Sequence, residues 1–291
     1  MHQAVHMLAA YDPILVIGVE RLSGRPTGEL TRNIGMAGDV ILDQLQGLNF
    51  PASYALVAQR HMQRYGTRTD DFEILSLKNH ANAQLNPLAH FYHKQVSQAD
   101  IDCGATVATP LRLFDCCPVS DGASAVILSA EAKDARSVPL IGTGLSTDVI
   151  SLAQRDEHDT FASAREAARM AYAQAGISPS DIDLAEVHDC FTIAEIVAME
   201  DLGLAAPGEA VDLIRAGQTS TGGELPINPS GGLKAGGHAI SATGVGQVYE
   251  ACQQLRGEAG DRQVRDARVA VTHNVGGVGG TCAVQVLGRP S

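Results

Sequence analysis

The chain has no tryptophan among its 291 residues, and aromatic residues make up only 4% of it. Glycine is plentiful, with 30 residues, and 45% of the chain is hydrophobic. This composition favours helix and sheet layers rich in alanine, valine and glycine over a β-sandwich. The length is enough for one large or two mid-sized domains with hydrophobic cores of their own.

Basic residues are also scarce. The chain has 21 Lys and Arg against 33 Asp and Glu, a formal net charge of −12, which argues against a nucleic-acid-binding surface. No run approaches the roughly 20 apolar residues of a membrane span, and the N-terminus lacks the basic segment and apolar core of a signal peptide. We expect a cytoplasmic protein without a membrane span, in which an anionic ligand would need a local basic patch.

The six cysteines are irregularly spaced, and no two have C-x-x-C spacing. In a chain of this size that pattern indicates reduced thiols and excludes a disulfide framework. A zinc site is unfavourable for the same reason, so the sequence predicts no metal.

Runs with strand character alternate with runs of helical periodicity. Ile14–Val19 is apolar on both faces, which predicts a strand in the middle of a parallel sheet covered by helices on both sides. In the second half we predict strands at Pro139–Leu145, Leu184–Val187, Arg268–Thr272 and Ala283–Leu287, and helices at Phe161–Ala175, Phe191–Leu202 and Val245–Leu255. This alternation predicts a mixed α/β layer architecture.

Residues 24–101 differ from the rest, because helical pieces there alternate with Pro, Gly and Asn and strands are hard to find. Basic residues recur in this segment: Arg60, Arg64, Arg68, Lys78 and Lys94. Two interpretations stay open, a solvated surface subdomain and a lid over a phosphate-bearing ligand.

His188 and Cys190 stand where a predicted strand ends and a predicted helix begins. Catalytic groups of open α/β sheets gather at such carboxyl ends. A helix N-terminus can lower the pKa of a cysteine from its usual value of about 8.5, which would let Cys190 exchange protons near neutral pH. A buried, inert thiol beside a hydrogen-bonded histidine is the alternative.

Two later glycine-rich stretches could complete a site. In Gly236-Gly237-His238 the glycines allow close backbone approach and aim the imidazole. Asn274–Gly280 lies between two predicted strands and lacks the Lys-Ser/Thr of a P-loop, so a nucleotide loop is rejected. A hairpin exposing N–H groups toward an oxyanion fits better.

Together these stretches resemble the thiolase family, most closely its sterol-carrier-type members. The resemblance is carried by His188-Asp189-Cys190-Phe191, NPSGGLKAGGHAISATG at 228–244, HNVGGVGG at 273–280, Lys78–Pro87 and Asp115–Gly122. It covers nearly the whole chain, and its specificity lies in the ordered combination of motifs.

The resemblance implies a five-layer α/β fold built of two similar βαβαβαββ halves. Residues 1–136 would be an incomplete first half with a loop domain inserted at about 24–101, and residues 137–291 the second half. It also implies dimers or tetramers, with association with a small partner subunit as a further option.

The resemblance also implies roles for single residues. His238 would activate the nucleophilic cysteine and bind the thioester oxygen, and His188 would hold a water in the same oxyanion hole. Cys190 would be the acid/base, a role that Asn274 cannot fill at the late turn, and Gly276 would offer its N–H to a second oxyanion hole.

A CoA thioester would be the substrate, with no separate cofactor. Cys117 aligns roughly with a serine that touches the CoA pantetheine in the family. Ser120, Lys78 and His80 are the other candidates for contact with CoA.

The chain departs from the family pattern at its start, since Met1 would lie after the place of the nucleophilic cysteine, and at Ala239, where the family has proline. We therefore expect a thiolase-type acyltransferase that makes or cleaves 3-ketoacyl-CoA, with a nucleophile outside this sequence. A retro-aldol lyase acting on a CoA thioester and a non-catalytic acyl-CoA-binding subunit are the alternatives.

Overall fold

A computed structural model describes residues 1–290. The helices are α1 (His2–Met7), α2 (Thr27–Gly35), α3 (Phe50–Tyr65), α4 (Thr69–Ala83), α5 (Gln98–Asp102), α6 (Ala162–Ala175), α7 (Thr192–Asp201), α8 (Ala210–Arg215), α9 (Gly232–Gly236) and α10 (Ile240–Arg256). The strands are β1 (Ile14–Glu20), β2 (Thr106–Ala108), β3 (Leu111–Arg112), β4 (Gly122–Leu128), β5 (Leu140–Thr147), β6 (Leu184–Glu186), β7 (Val269–Gly276) and β8 (Thr281–Gly288).

The larger sheet has the order β5-β8-β7-β6. Strand β8 is antiparallel to both of its neighbours, while β6 is parallel to β7. The four strands predicted in the second half are confirmed, and β7 and β8 form the predicted hairpin. Its turn needs glycine at Gly277 and Gly279, where φ is +66° and +81°, a backbone conformation that other residues adopt only with strain.

Helices cover this sheet on both faces. Val286 packs in a cluster with Ala167 of α6, whereas the next residue, Leu287, packs with Val248 and Leu255 of α10. Since successive side chains of a strand point to opposite faces, α6 and α10 lie on opposite sides of the sheet.

Helix α10 is the central layer of the molecule, because it also packs against β1 and β4. These two strands form a separate antiparallel pair. The layers therefore run α6, the β5-β8-β7-β6 sheet, α10 and the β1–β4 pair. Helix α10 therefore contacts both sheets, which agrees with the expected stacking of helix and sheet layers.

The expectation that Ile14–Val19 lies inside a parallel sheet is wrong for the part of the chain that the structure describes. Its partner β4 is antiparallel, and Leu15, Ile17 and Val19 are 58%, 59% and 63% exposed. Apolar residues on both faces of a strand indicate its hydrophobicity but carry no information on the direction of its neighbours.

Residues 24–101 are helical, as predicted, and consist of α2 to α5 with their connections. Helix α3 begins at Asn49, whose side chain accepts from the Ala52 N–H at 3.0 Å, and it ends at Gly66 with φ +76°. The division of the chain at 136/137 stays a prediction. Between residues 1 and 290, no helix combines the length and apolarity needed to cross a bilayer.

Two glycines of β5 let α6 lie directly on the strand. A Cβ at Gly144 would be 1.9 Å from the Ala167 carbonyl oxygen, and one at Gly142 would be 2.2 Å from that of Ala171. We predict that Gly144→Ala lowers the free energy of unfolding by roughly 2–3 kcal/mol, the cost of overpacking a close-packed core. Urea denaturation measures it. Gly28→Ala in α2 is the control, because nothing lies within 4 Å of its added Cβ, and an unchanged midpoint for Gly144→Ala would contradict the prediction.

Candidate active site

The first catalytic candidate stands in a tight connection between β6 and α7. We call residues 187–191 the His188 turn. The Val187 N–H donates to Asn228 Oδ1 at 2.8 Å, and the His188 N–H donates to His273 Nδ1 at 3.4 Å. The turn is therefore fixed by side chains from two other parts of the chain.

The second candidate stands directly after α9. We call residues 237–239 the His238 loop. Gly237 has φ +110°, and a Cβ there would lie 3.1 Å from Ser120 Oγ, so only glycine suits the position. The His238 N–H donates to the same Ser120 Oγ at 3.2 Å, which anchors the loop on the segment before β4.

The structure brings the two histidines together. The ring centroids of His188 and His238 lie 5.0 Å apart, with the ring planes at 88°. These residues are 50 positions apart in the sequence. They lie close together because α9 brings the chain back to the end of β6.

The hydrogen-bond partners of His238 define its tautomer. The Thr243 hydroxyl donates to the Ala239 carbonyl at 3.0 Å, so it accepts from His238 Nδ1 at 2.8 Å. The Nδ1 atom therefore carries the proton, and Nε2 keeps a free lone pair. A neutral imidazole in this state can accept a proton from a substrate or a thiol.

His188 has the complementary tautomer. The Gln247 Nε2 donates to the carbonyls of Glu186 and His273 at 3.3 and 3.0 Å, which leaves Gln247 Oε1 as an acceptor. The Asn274 Nδ2 donates to that oxygen and to His188 Nδ1, each at 3.2 Å. His188 Nδ1 is thus an acceptor, and Nε2 carries the proton.

Both imidazoles are neutral at pH 7. Burial lowers the pKa of His238 to about 4. Burial also lowers the pKa of His188 well below its ordinary value, and the neighbouring His238 and His273 lower it further. One ring with a free lone pair and one with a free N–H make an acceptor and a donor side by side.

Cys190 is a neutral thiol. Burial raises its pKa well above the ordinary value, and the neighbouring Cys117 raises it further. The pKa lowering expected from its place before α7 is therefore wrong, because desolvation outweighs the helix N-terminus. Tyr54 is a neighbour of the thiol, and its hydroxyl donates to the Gly277 carbonyl at 3.2 Å. Tyr54 thus lies between Cys190 and the turn that follows Gly276.

The remaining candidates lie around this centre. The Cys117 N–H donates to the Cys190 carbonyl at 2.9 Å, and burial raises the pKa of its own thiol to about 12. Gly276 is the last residue of β7 and pairs with Thr281. The roles predicted for Cys117, Ser120 and Gly276 stay predictions.

The predicted contacts of Lys78 and His80 with CoA are not supported by their positions. Both residues are buried on α4. The Lys78 ammonium pairs with Glu195 and donates to the Ile227 carbonyl at 3.0 Å. His80 Nδ1 donates to the Ser76 carbonyl at 2.8 Å, and burial lowers the pKa of His80 to about 4. These side chains belong to the interior behind the site.

Relatives with known names share this chain's sequence over most of its length. A family profile described as Thiolase C-terminal domain-like matches residues 144–289. The chain is 42% identical over 283 residues to an acetyl-CoA acetyltransferase of Methanothermobacter thermautotrophicus, covering 96% of this chain and 73% of that protein. It is 36% identical over 287 residues to sterol carrier protein 2 of Homo sapiens, covering 93% of this chain and 52% of that one.

The chain belongs to the thiolase family. Among solved structures, an Ltp2-ChsH2(DUF35) aldolase aligns with a TM-score of 0.84 at 27% identity over 99% of this chain and 76% of that chain. Human mitochondrial 3-ketoacyl-CoA thiolase aligns with a TM-score of 0.68 at 17% identity over 99% of this chain and 74% of that chain. The predicted thiolase-like fold is confirmed, as is the predicted family with its sterol-carrier-type relatives.

Several residues of this thiolase site escaped sequence reasoning. Thr243 lies within the glycine-rich stretch five residues after His238, and this position could have identified it as a partner of the imidazole. Gln247 stands one helical turn further on. Tyr54 gave no signal, since it comes from the distant helix α3. His273 stands in the quoted motif at 273–280, but the sequence assigned it no role.

A cavity of about 360 Å³ lies behind the His238 loop. Gly237, Thr243 and Ser120 line it on the site side, and Glu186 and Glu250 line it elsewhere. Burial raises the pKa of Glu186 to about 8, and the adjacent Glu250 raises it further. Across residues 1–290 there is no cluster of His, Cys, Asp or Glu suited to a metal ion.

We predict that nitrogen-15 NMR finds opposite neutral tautomers at pH 7, with protonated Nε2 in His188 and protonated Nδ1 in His238. His238 should stay neutral down to about pH 5, because burial disfavours its charged form. His188→Asn and His238→Asn assign the signals by their loss. Asn274→Asp should move the His188 proton to Nδ1, since a carboxylate can only accept. Identical tautomers in the two rings would contradict the assignment.

Proposed function

We propose that this protein is an acyl-CoA C-acyltransferase of the thiolase type, making or cleaving 3-ketoacyl-CoA. The observation that carries the proposal is the pair of complementary imidazoles in one site, with Nε2 of His238 free to accept a proton and Nε2–H of His188 free to donate. Two relatives named acetyl-CoA acetyltransferase, at 42% and 38% identity, support the same chemistry.

Each imidazole has a separate task in the proposed reaction. His238 Nε2 takes the proton of the thiol that attacks the acyl group, as a general base. His188 Nε2–H donates to the thioester oxygen as negative charge develops there, which lowers the barrier most in a buried site. Neither task needs a charged ring at the start, in keeping with the lowered pKa of both residues.

Cys190 is proposed to move the proton of the α-carbon. In the cleavage direction its neutral thiol gives a proton to the departing enolate, and in the synthetic direction the resulting thiolate takes one back. The raised pKa suits the donating step, because the thiol keeps its proton until a stronger base is formed nearby.

The attacking thiolate is the part of the mechanism that the described cysteines do not supply. Burial raises the pKa of five of them: Cys116, Cys117, Cys190, Cys252 and Cys282. The sixth, Cys103, is exposed just after the short helix α5. The proposed acyl transfer therefore needs an attacking thiol other than these six.

The remaining partners belong to the same proposal. Acyl-CoA and CoA are the substrates, with no separate cofactor, and the protein acts in the cytoplasm as a dimer or tetramer. CoA contacts by Cys117 and Ser120 fit their place beside Cys190 and His238.

A retro-aldol lyase acting on a β-hydroxyacyl-CoA is the second candidate. The aldolase that aligns with a TM-score of 0.84 carries a DUF35 partner in its name, and the five thiols with a shifted pKa all have it raised by burial. Such a lyase needs an acid/base pair but no thiolate, and a small partner subunit would then complete the site.

Thiolysis of acetoacetyl-CoA by the native gene product, whose intact mass is measured first, tests the proposal. We expect activity, and we expect His238→Asn to lower kcat by roughly 10²- to 10⁴-fold through loss of the base. Absence of thiolysis with cleavage of a β-hydroxyacyl-CoA would overturn the acyltransferase in favour of the lyase. Acyl-CoA binding without either activity would point to a non-catalytic subunit.

Cys190→Ser tests the acid/base role separately. A hydroxyl is a far weaker acid than a thiol, so we predict a loss in kcat of roughly 10²-fold or more with a smaller change in KM. Cys252→Ser is the matched control, because Cys252 lies on α10 against the cluster on the other side of the sheet from α6. Equal activities of the two serine variants would remove Cys190 from the mechanism.

A further inference from the structure

Asp189 adjoins both catalytic candidates of the His188 turn but points away from the imidazoles. Its carboxylate is fully buried. Oδ1 accepts from the Leu233 N–H at 2.6 Å, and Oδ2 accepts from the Lys234 N–H at 3.3 Å. Both donors belong to the first turn of α9, so the carboxylate binds N–H groups that have no partner within the helix.

The N-cap residue of α9 is Gly231, with φ +98° and no side chain to accept from the helix, and the local acceptor is the Ser230 hydroxyl, which accepts from the Gly232 N–H at 3.1 Å. Asp189 supplies the acceptor from a distant part of the chain, as an N-cap residue would do locally. The helix is short and ends at Gly236, only two residues before His238. The orientation of α9 therefore sets where the His238 imidazole lies.

The Asp189 carboxylate packs closely against the backbone of α9. A Cβ at Gly232 would lie 2.3 Å from Asp189 Oδ2, and one at Gly231 would lie 2.8 Å from Ala83 Cβ. The backbone of α9 is thus pressed between the carboxylate on one side and α4 on the other. Because the packing is close, a displacement of Asp189 displaces the helix as well.

The other side of the carboxylate is held as well. The Asn79 Nδ2 donates to Asp189 Oδ2 and to Glu195 Oε2, each at 2.8 Å. Glu195 in turn pairs with Lys78. Burial raises the pKa of Asp189, the nearby Glu195 raises it further, and the backbone donors and Lys78 oppose this rise. The buried Lys78–Glu195 pair thus supports the Asp189 carboxylate from behind the site.

We propose that Asp189 is a positioning residue that sets the separation and angle of His188 and His238 by capping α9. It touches no substrate, and it acts by fastening the His188 turn to the helix that carries the His238 loop. The catalytic consequence rests on the proposed acyltransferase function, whereas the effect on His238 does not.

Asp189→Asn tests the proposal, because it keeps the size of the side chain but replaces one acceptor oxygen with an NH₂ group. We expect the ring signals of His238 in nitrogen-15 NMR to shift, although residue 238 lies far from the substitution in sequence. We expect kcat for acetoacetyl-CoA thiolysis to fall roughly 10- to 100-fold with KM nearly unchanged, as for a misplaced catalytic group.

Asp201→Asn is the matched control. Asp201 is also a buried carboxylate at a helix start, accepting from the Phe161 N–H at 2.7 Å and from the Thr160 hydroxyl, and burial raises its pKa to about 7. It caps α6, away from the histidines. We expect its variant to lower the melting temperature while leaving the His238 signals and kcat in place.

Asn79→Ala is the milder second variant, since it removes one hydrogen bond to Asp189 and leaves the cap. It should shift the His238 signals in the same direction by a smaller amount. Unchanged His238 signals in folded Asp189→Asn or Asn79→Ala would overturn the positioning role. Shifted signals in a protein without thiolysis would keep that role and reject the acyltransferase proposal.

Discussion

The side-chain amide of Gln247 is the contact on which the site depends most. It stands on the central helix α10 and donates to the last carbonyl of β6 and to a carbonyl of β7. These two bonds leave Gln247 Oε1 as an acceptor, so the Asn274 side-chain NH₂ group faces it. The same NH₂ group donates to His188 Nδ1. The helix between the two sheets thus determines a proton position in the active site.

The sequence predicted the frame of the second half well, for physical reasons. The strands of the larger sheet are rich in buried apolar residues, and α6, whose buried residues are mostly alanine, lies on glycines of β5. Periodicity carries that information locally. It could not tell that β1 pairs antiparallel with β4, because strand direction depends on residues more than 100 positions apart.

The site was predictable only in part. His188, Cys190 and His238 stand in motifs, and their types suggest proton transfer. The protonation state of Cys190 could not be predicted. The expected effect of the helix N-terminus is local in sequence, whereas the burial that outweighs it comes from the packing of the folded chain, and Cys117 from another segment raises the pKa further. Lys78 shows the same limit, because its position in a basic stretch does not indicate that it is buried and paired with Glu195.

The electrostatics of the site point to one principle. The reacting groups are neutral, with two imidazoles whose pKa is lowered and a thiol whose pKa is raised, all mainly by burial. Asp189, Glu195 and Lys78 lie one layer behind. Lys78 pairs with Glu195, Asn79 donates to both Glu195 and Asp189, and Asp189 accepts from the backbone of α9. A buried site lined by neutral donors and acceptors interacts most strongly with a charge that appears only during reaction, such as a thioester oxyanion or an enolate. Both proposed chemistries form such an anion, so the presence of an attacking thiolate beside His238 is what separates a thiolase from a lyase.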